Sequence, residues 1–258
     1  MYIAQALLTL GLCFVLAASV SLMVSRRIDV SARRRHHEVG IAVFLQIGVI
    51  YAVLLAFVFS EVWDQFNDAA KVVDTECASV LGIAERADNV PEPSRSRLRD
   101  ELSTYLTLEI DDEWPRMQKR SFSRAVSGQF SRIYDEIASV DPANARIAAA
   151  RDRMLTLAGR IHEARAERLF QLRSNVPPFL WGLLIVDALM LVGFVLFSGM
   201  EHHAVQLGVV AVFATFLCGI LLTIHLLDFP YEGTISIDDQ PLVETLEQLG
   251  TMRHQPSP

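Results

Sequence analysis

Residues Gly40–Ser60 read GIAVFLQIGVIYAVLLAFVFS, and the chain runs on to Val80 as EVWDQFNDAAKVVDTECASV. The first stretch has no charged side chain. Its length of about 20 residues crosses roughly 30 Å of hydrocarbon as an α-helix. In the second stretch Val62, Phe66, Ala69, Val73, Cys77 and Val80 recur at steps of three and four, the period of a helix with one apolar face. A single helix is therefore expected to leave the membrane unbroken and enter a polar helical body.

Three further runs have the same character. Tyr2–Val24 has no charge, Pro177–Ser198 has only Asp187, and Leu207–Leu227 has only His225 as an ionisable group. No Lys or Arg precedes the first run, and it is too long for the core of a signal peptide. These runs explain how 52% hydrophobic residues coexist with 21% charged ones in 258 residues. The composition excludes an ordinary soluble enzyme. It also excludes a disordered chain, which needs low hydrophobicity. A net charge of -7 gives no sign of nucleic-acid binding. The expected fold is an all-α integral membrane protein with four transmembrane helices and a helical-bundle insert between the second and third. The divisions are residues 1–60 (helices 1 and 2), 61–176 (insert), 177–227 (helices 3 and 4) and 228–258 (a polar tail).

An even number of spans places both termini, the insert and the tail on one side. Arg26, Arg27, Arg33, Arg34 and Arg35 crowd the first short loop. The positive-inside rule makes that loop cytoplasmic and the insert and termini extracytoplasmic. Tyr2, Trp63, Trp181 and Tyr231 are expected to form an aromatic belt at the insert-side interface. Within the insert, Leu98, Leu102, Tyr105 and Leu106 mark a helix over Arg95–Ile110, broken at Asp111–Pro115. A third helix is expected around Phe122–Ala138. A fourth starts near Asp141-Pro142 and carries Ile147, Ala150, Met154, Leu157, Ile161, Ala164 and Leu172 toward Pro177. Only Thr234–Ile237 has a strand pattern.

Asp187 lies about halfway along the third span, where a carboxylate costs roughly 2.5–3.5 kcal/mol. It is either an ion-pathway residue or a structural carboxyl held between helices. Tyr51 and Thr215, at similar depth, are its expected hydrogen-bond partners. Gly48, Ala52, Ala56 and Ser60 place small residues on one stripe of the second span, where backbones can approach closely. The stripe packs either on another span of the same chain or around an oligomer axis. Just beyond it, Glu61, Asp64 and Asp68 share a face. In an oligomer they would ring an ion path with carboxylates; otherwise they are a solvated helix face. His36 and His37 in one short loop and His202 and His203 in the other are a possible metal or pH-sensing group. Cys13, Cys77 and Cys218 form no C-x-x-C pair and read as small buried apolar residues. No nucleotide-binding or hydrolase motif is present, so neither a cofactor nor an enzymatic activity is expected.

Several motifs together resemble a known family. They are Val62-Trp63-Asp64, Glu76-Cys77-Ala78, Tyr105, Glu113-Trp114-Pro115, Val176-Pro177-Pro178-Phe179-Leu180-Trp181 and Leu227-Asp228-Phe229-Pro230-Tyr231-Glu232-Gly233. Their order and placement, from about residue 40 to 240, resemble the bestrophin-like family of bacterial membrane proteins carried as a domain of unknown function. The resemblance implies four spans, a helical insert and a place in the cell membrane, the inner membrane of a bacterium. The family's name implies anion channels, and the bestrophin arrangement implies a cytoplasmic insert, opposite to the charge rule.

Two function classes follow. One is an oligomeric bestrophin-like ion channel, with the lipid bilayer, further copies of itself and permeating ions as partners. The other is a membrane-anchored interaction or sensing protein whose helical insert binds a partner. A pore requires an oligomer with a wettable path; an anchor requires neither.

Overall fold

The computed structural model describes residues 2–27, 37–173, 175–197, 200, 202–233 and 235–254. Among these, every regular element is helical. The chain is an all-α integral membrane protein, and four helices are long and apolar enough to cross a membrane. They are α1 (Tyr2–Arg27), α2 (His37–Ala87), α7 (Pro178–Leu196) and α8 (His203–Leu227). The helical insert lies between the second and third. It contains α3 (Ser94–Leu108), a π-helical turn (Glu109–Glu113), α4 (Trp114–Met117), α5 (Arg124–Ser139) and α6 (Ala145–Gln171). A final helix, α9 (Gln240–His254), follows the fourth span.

The residues form two compact units. One comprises Met1–Gln65 and Val176–Asp228, the other Phe66–Asn175 and Phe229–Pro258. The helix α2 contributes to both and runs unbroken for 51 residues, as the periodicity past Ser60 requires.

In the membrane unit α1 packs on α8. Leu10 of α1 lies 3.8 Å from where a Cβ on Gly219 would stand, an ordinary contact distance. Cys13 Sγ donates to the Ala214 carbonyl at 3.7 Å. The buried Gln206 side chain donates to the Leu196 carbonyl at 2.6 Å, satisfying one of the open carbonyls at the end of α7. Phe44 of α2 meets Phe194 and Phe213 at centroid distances of 6.1 and 6.3 Å, joining α2 to α7 and α8. Leu8, Val49, Ile50, Phe57, Phe179 and Val212 point outward, as hydrocarbon surroundings favour.

In the insert unit Leu98, Leu102, Leu106, Ile133, Ile137, Met154 and Ile161 are fully buried. Each such side chain contributes about 1.5–3 kcal/mol by leaving water. The break expected at Asp111–Pro115 does not occur. The backbone stays right-handed helical from Leu108 through Trp114, widening into the π turn before α4. Pro115 falls at the start of α4, where its missing N–H is tolerated. The third helix starts two residues later than Phe122 because Ser123 caps it, accepting from the Ala125 and Val126 amides. Phe122 is consequently left exposed. Asn144 caps α6 in the same way, accepting from the Ile147 amide at 2.9 Å.

The segment after the fourth span joins this core. Leu242 and Leu249 of α9 are buried, α9 packs on α3, and Arg99 Nη1 donates to the Met252 carbonyl at 3.1 Å. Tyr231 is not an interfacial belt residue. It is 2% exposed and packs edge-on against Trp114, with centroids 5.8 Å apart. Thr234 lies outside the described residues, and Ile235–Ile237 form no strand; the Ile237 amide instead donates to the Pro230 carbonyl at 2.8 Å.

Candidate functional site

Asp187 on α7 is half-buried. Of its two expected partners, Tyr51 is 3% exposed and within electrostatic reach of the Asp187 carboxylate. The Tyr51 hydroxyl makes no hydrogen bond among the described residues. Thr215 donates to the Ala211 carbonyl at 2.7 Å and so is committed to its own helix.

The small-residue stripe divides. Gly48 is half-buried, with Leu191 Cδ2 3.9 Å from where its Cβ would stand. Ala52, Ala56 and Ser60 are exposed. Gly48, Ala52 and Ala56 line an apolar groove of about 420 Å³ with Phe44, Leu191 and Phe213. Further along α2, Glu61, Asp64 and Asp68 are exposed. Glu61 accepts from Gln65 at 2.8 Å, and Asp68 pairs with Lys71 at 2.8 Å. Trp63 stacks on Phe59, centroids 6.3 Å apart.

His202 and His203 are exposed at the start of α8. His36 and the side chain of His37 lie outside the described residues, so the expected group of four does too. Among the described residues no group of three or more His, Cys, Asp or Glu is placed to hold a metal. Cys77 is buried, while Cys13 and Cys218 are half-buried neighbours.

The densest chemistry lies in the insert core. Three carboxyls, Glu76 on α2 and Glu109 and Glu113 on the π turn, are fully buried with Arg168 of α6, and Arg165 is nearly so. The turn creates this arrangement. Four residues apart in a π-helix, with its wider repeat, Glu109 and Glu113 both point inward. Arg165 holds Glu113 with two bonds, Nε to Oε1 at 2.8 Å and Nη2 to Oε2 at 2.7 Å. Its remaining donors reach the Ser123 carbonyl at 3.0 Å and Ser127 Oγ at 3.1 Å. The Ser123 amide adds a third bond to Glu113, at 3.0 Å. Arg168 is stretched further. Its Nη2 lies 2.6 Å from Glu109 Oε2, 3.2 Å from Glu76 Oε2 and 3.6 Å from Glu113 Oε1. Its guanidinium carbon sits 5.6 Å from the Trp114 ring centre, a cation–π distance. Tyr105 donates to Glu76 Oε1 at 2.5 Å, and Tyr231 donates to Gln171 at 3.0 Å. Burial pushes Glu109 up to about 8 against the opposing pull of Arg168, and burial raises Glu76 in the same way.

A fourth buried carboxyl, outside this cluster, orders the entry to α7. Asp228 is 3% exposed and accepts from the Val176 amide at 2.8 Å and from Trp181 Nε1 at 3.4 Å. The Trp181 ring in turn meets His225 edge-on at 5.8 Å.

Residues 12–242 match the bestrophin-like domain. The chain belongs to the bestrophin-like family. No curated protein matches it. Among solved structures, a bacterial bestrophin homologue from Klebsiella pneumoniae phased on zinc superposes with a TM-score of 0.72. It shares 14% identity, over 97% of this chain and 99% of that one. A single-residue variant of the Klebsiella homologue gives 0.75 at 12% identity, over 97% and 100%. A crystal structure of a membrane protein carrying a proline-to-alanine substitution gives 0.74 at 13%, over 97% and 99%. At such identities the likeness establishes the bestrophin fold. The motifs that carry the family resemblance also acquire a structural meaning. Glu76, Tyr105, Glu113, Trp114 and Tyr231 are walls of the buried charge cluster, and Val176, Trp181 and Asp228 form the bonded entry to α7. Glu109, Arg165 and Arg168 complete the cluster and were not singled out from sequence as its members.

Proposed function

We propose that this bestrophin-like chain is one subunit of a homo-oligomeric ion channel in the cell membrane. The observation that carries the reading is the uncovered stripe. Ala52, Ala56 and Ser60 are exposed on a membrane-spanning helix, and their own chain leaves a groove there. Small residues are favoured where another helix backbone must come close, and a second copy supplies one. Around such an axis, Glu61, Asp64 and Asp68 would present repeated carboxylates to permeating ions. Asp187 with the unbonded Tyr51 hydroxyl supplies a polar element inside the membrane. Membership of the bestrophin-like family supports the same reading.

Light scattering of the purified full chain in detergent tests it. A stable assembly of several copies is expected. A stable monomer, with the stripe facing lipid, would overturn the proposal and leave the insert as a membrane-anchored module.

A further inference from the structure

The insert core contains one carboxyl more than its arginines can neutralise. Arg165 and Glu113 satisfy one another through two bonds. Glu76 and Glu109 share the guanidinium of Arg168, which reaches both through one nitrogen, Nη2, while Arg165 Nε, already bonded to Glu113, lies 3.5 Å from Glu109 Oε1. Each of the two carboxyls keeps an oxygen without a hydrogen bond among the described residues, Glu76 Oε2 and Glu109 Oε1, although both are fully buried. An unpaired charge in such surroundings is strongly unfavourable. The inexpensive solution is to fill the vacant acceptor capacity with a hydrogen.

We propose that Glu76 and Glu109 together bind one exchangeable proton, forming a neutral site with Arg168 in the core of the insert. The other groups facing the pair are Tyr105 from α3, Glu113 from the π turn, Arg165 from α6 and Tyr231 from the segment after the fourth span. Tyr105 is fully buried and held well above its ordinary value by burial and by the two carboxyls, so it remains a donor. Arg165, the second cation near the pair, is committed to Glu113 by two bonds, so among the described residues of the cluster two guanidinium charges face three carboxyls. On release the proton passes to water, and the pair retains one uncompensated negative charge. Both carboxyls are raised above the ordinary carboxylate range. The stability the proton contributes is therefore complete in acid and is lost as pH rises toward and through about 8. The two groups titrate as a pair. The insert thus tightens on mild acidification and loosens in mild alkali.

Infrared spectroscopy and thermal unfolding of the full chain in detergent, followed from about pH 6 to about pH 9, test this. In the wild type a protonated carboxylic-acid band is expected at the acid end, where exposed carboxyls are ionised. It should fade as pH rises while the unfolding temperature falls. Glu109→Gln and Glu76→Gln should each abolish the fading band, because either amide leaves a single carboxylate for Arg168. Asp187→Asn should leave the band's titration in place. The spectral titration needs no variant to fold. A wild type with no titrating acid band in this range would overturn the proposal. A band that survives unchanged in both glutamine variants would overturn it as well.

Discussion

Arg165 and Glu113 show how much one buried ion pair can carry. Removing one partner of such a pair strands the other charge, which costs about 3–5 kcal/mol. Arg165→Met should therefore lower the unfolding temperature sharply, and the double variant Arg165→Met with Glu113→Gln should recover part of the loss. Thermal unfolding of the three proteins checks this. Asp187 is a different case, because Tyr51 is near it but its hydroxyl makes no hydrogen bond among the described residues. If it serves ion passage, Asp187→Asn should assemble normally yet change conductance or selectivity. A purely structural Asp187 would instead lose stability as Leu and transport normally as Asn. The single residues of the insert cluster were partly legible in sequence. On α6 the apolar stripe steps from Ile161 and Ala164 to Leu172, and the helical positions between are Arg165 and Arg168. Glu76 falls between Val73 and Val80 on the buried face of α2, and Glu109 follows Tyr105 on that of α3. Helical spacing placed these charges inward. Polarity argued for solvent, and only the tertiary contacts show that they pair with one another.

At the level of elements, α2 was the most legible part of the chain because its pattern changes from uniformly apolar to amphipathic without a breaker. The continuous turn through Glu109–Glu113 was not, since Pro115 reads as a helix end. A π turn is set by packing around it, and no propensity marks it in a sequence. The tail helix α9 had a signal that went unread: Leu242, Leu246 and Leu249 recur at steps of four and three, and they pack with Met252 on the insert core. The stripe on α2 gives the element-scale test. Ala52→Leu and Ala56→Leu add bulk to a face on which a second copy is proposed to pack, where overfilling costs about 1–3 kcal/mol. Both should shift the detergent-purified protein toward smaller assemblies in light scattering while the helix content is kept. An unchanged assembly size in both would mean that the stripe faces lipid.

For the whole molecule, the hydropathy of four runs was enough to read the architecture, because lipid admits few backbone solutions other than complete helices. Function was less legible, since the proposed pore would be a property of several copies, of which one chain would display only a share of the wall. Sidedness also belongs to this scale. Four spans require that reporters fused after Pro258 and inserted near Ser127 report one compartment. The positive-inside rule applied to the arginines of the first loop predicts an extracytoplasmic compartment, so a cysteine introduced at the exposed Ser96 is expected to react with an impermeant reagent in intact cells. Reaction only after lysis would put the insert in the cytoplasm, as the bestrophin arrangement implies. The most direct test of the central proposal is ion flux through liposomes reconstituted with the purified full chain. Flux clearly above that of protein-free vesicles, and reduced by Ala56→Leu, is the expected result. Flux equal to that of protein-free vesicles, from chain shown to be incorporated and assembled, would contradict a channel.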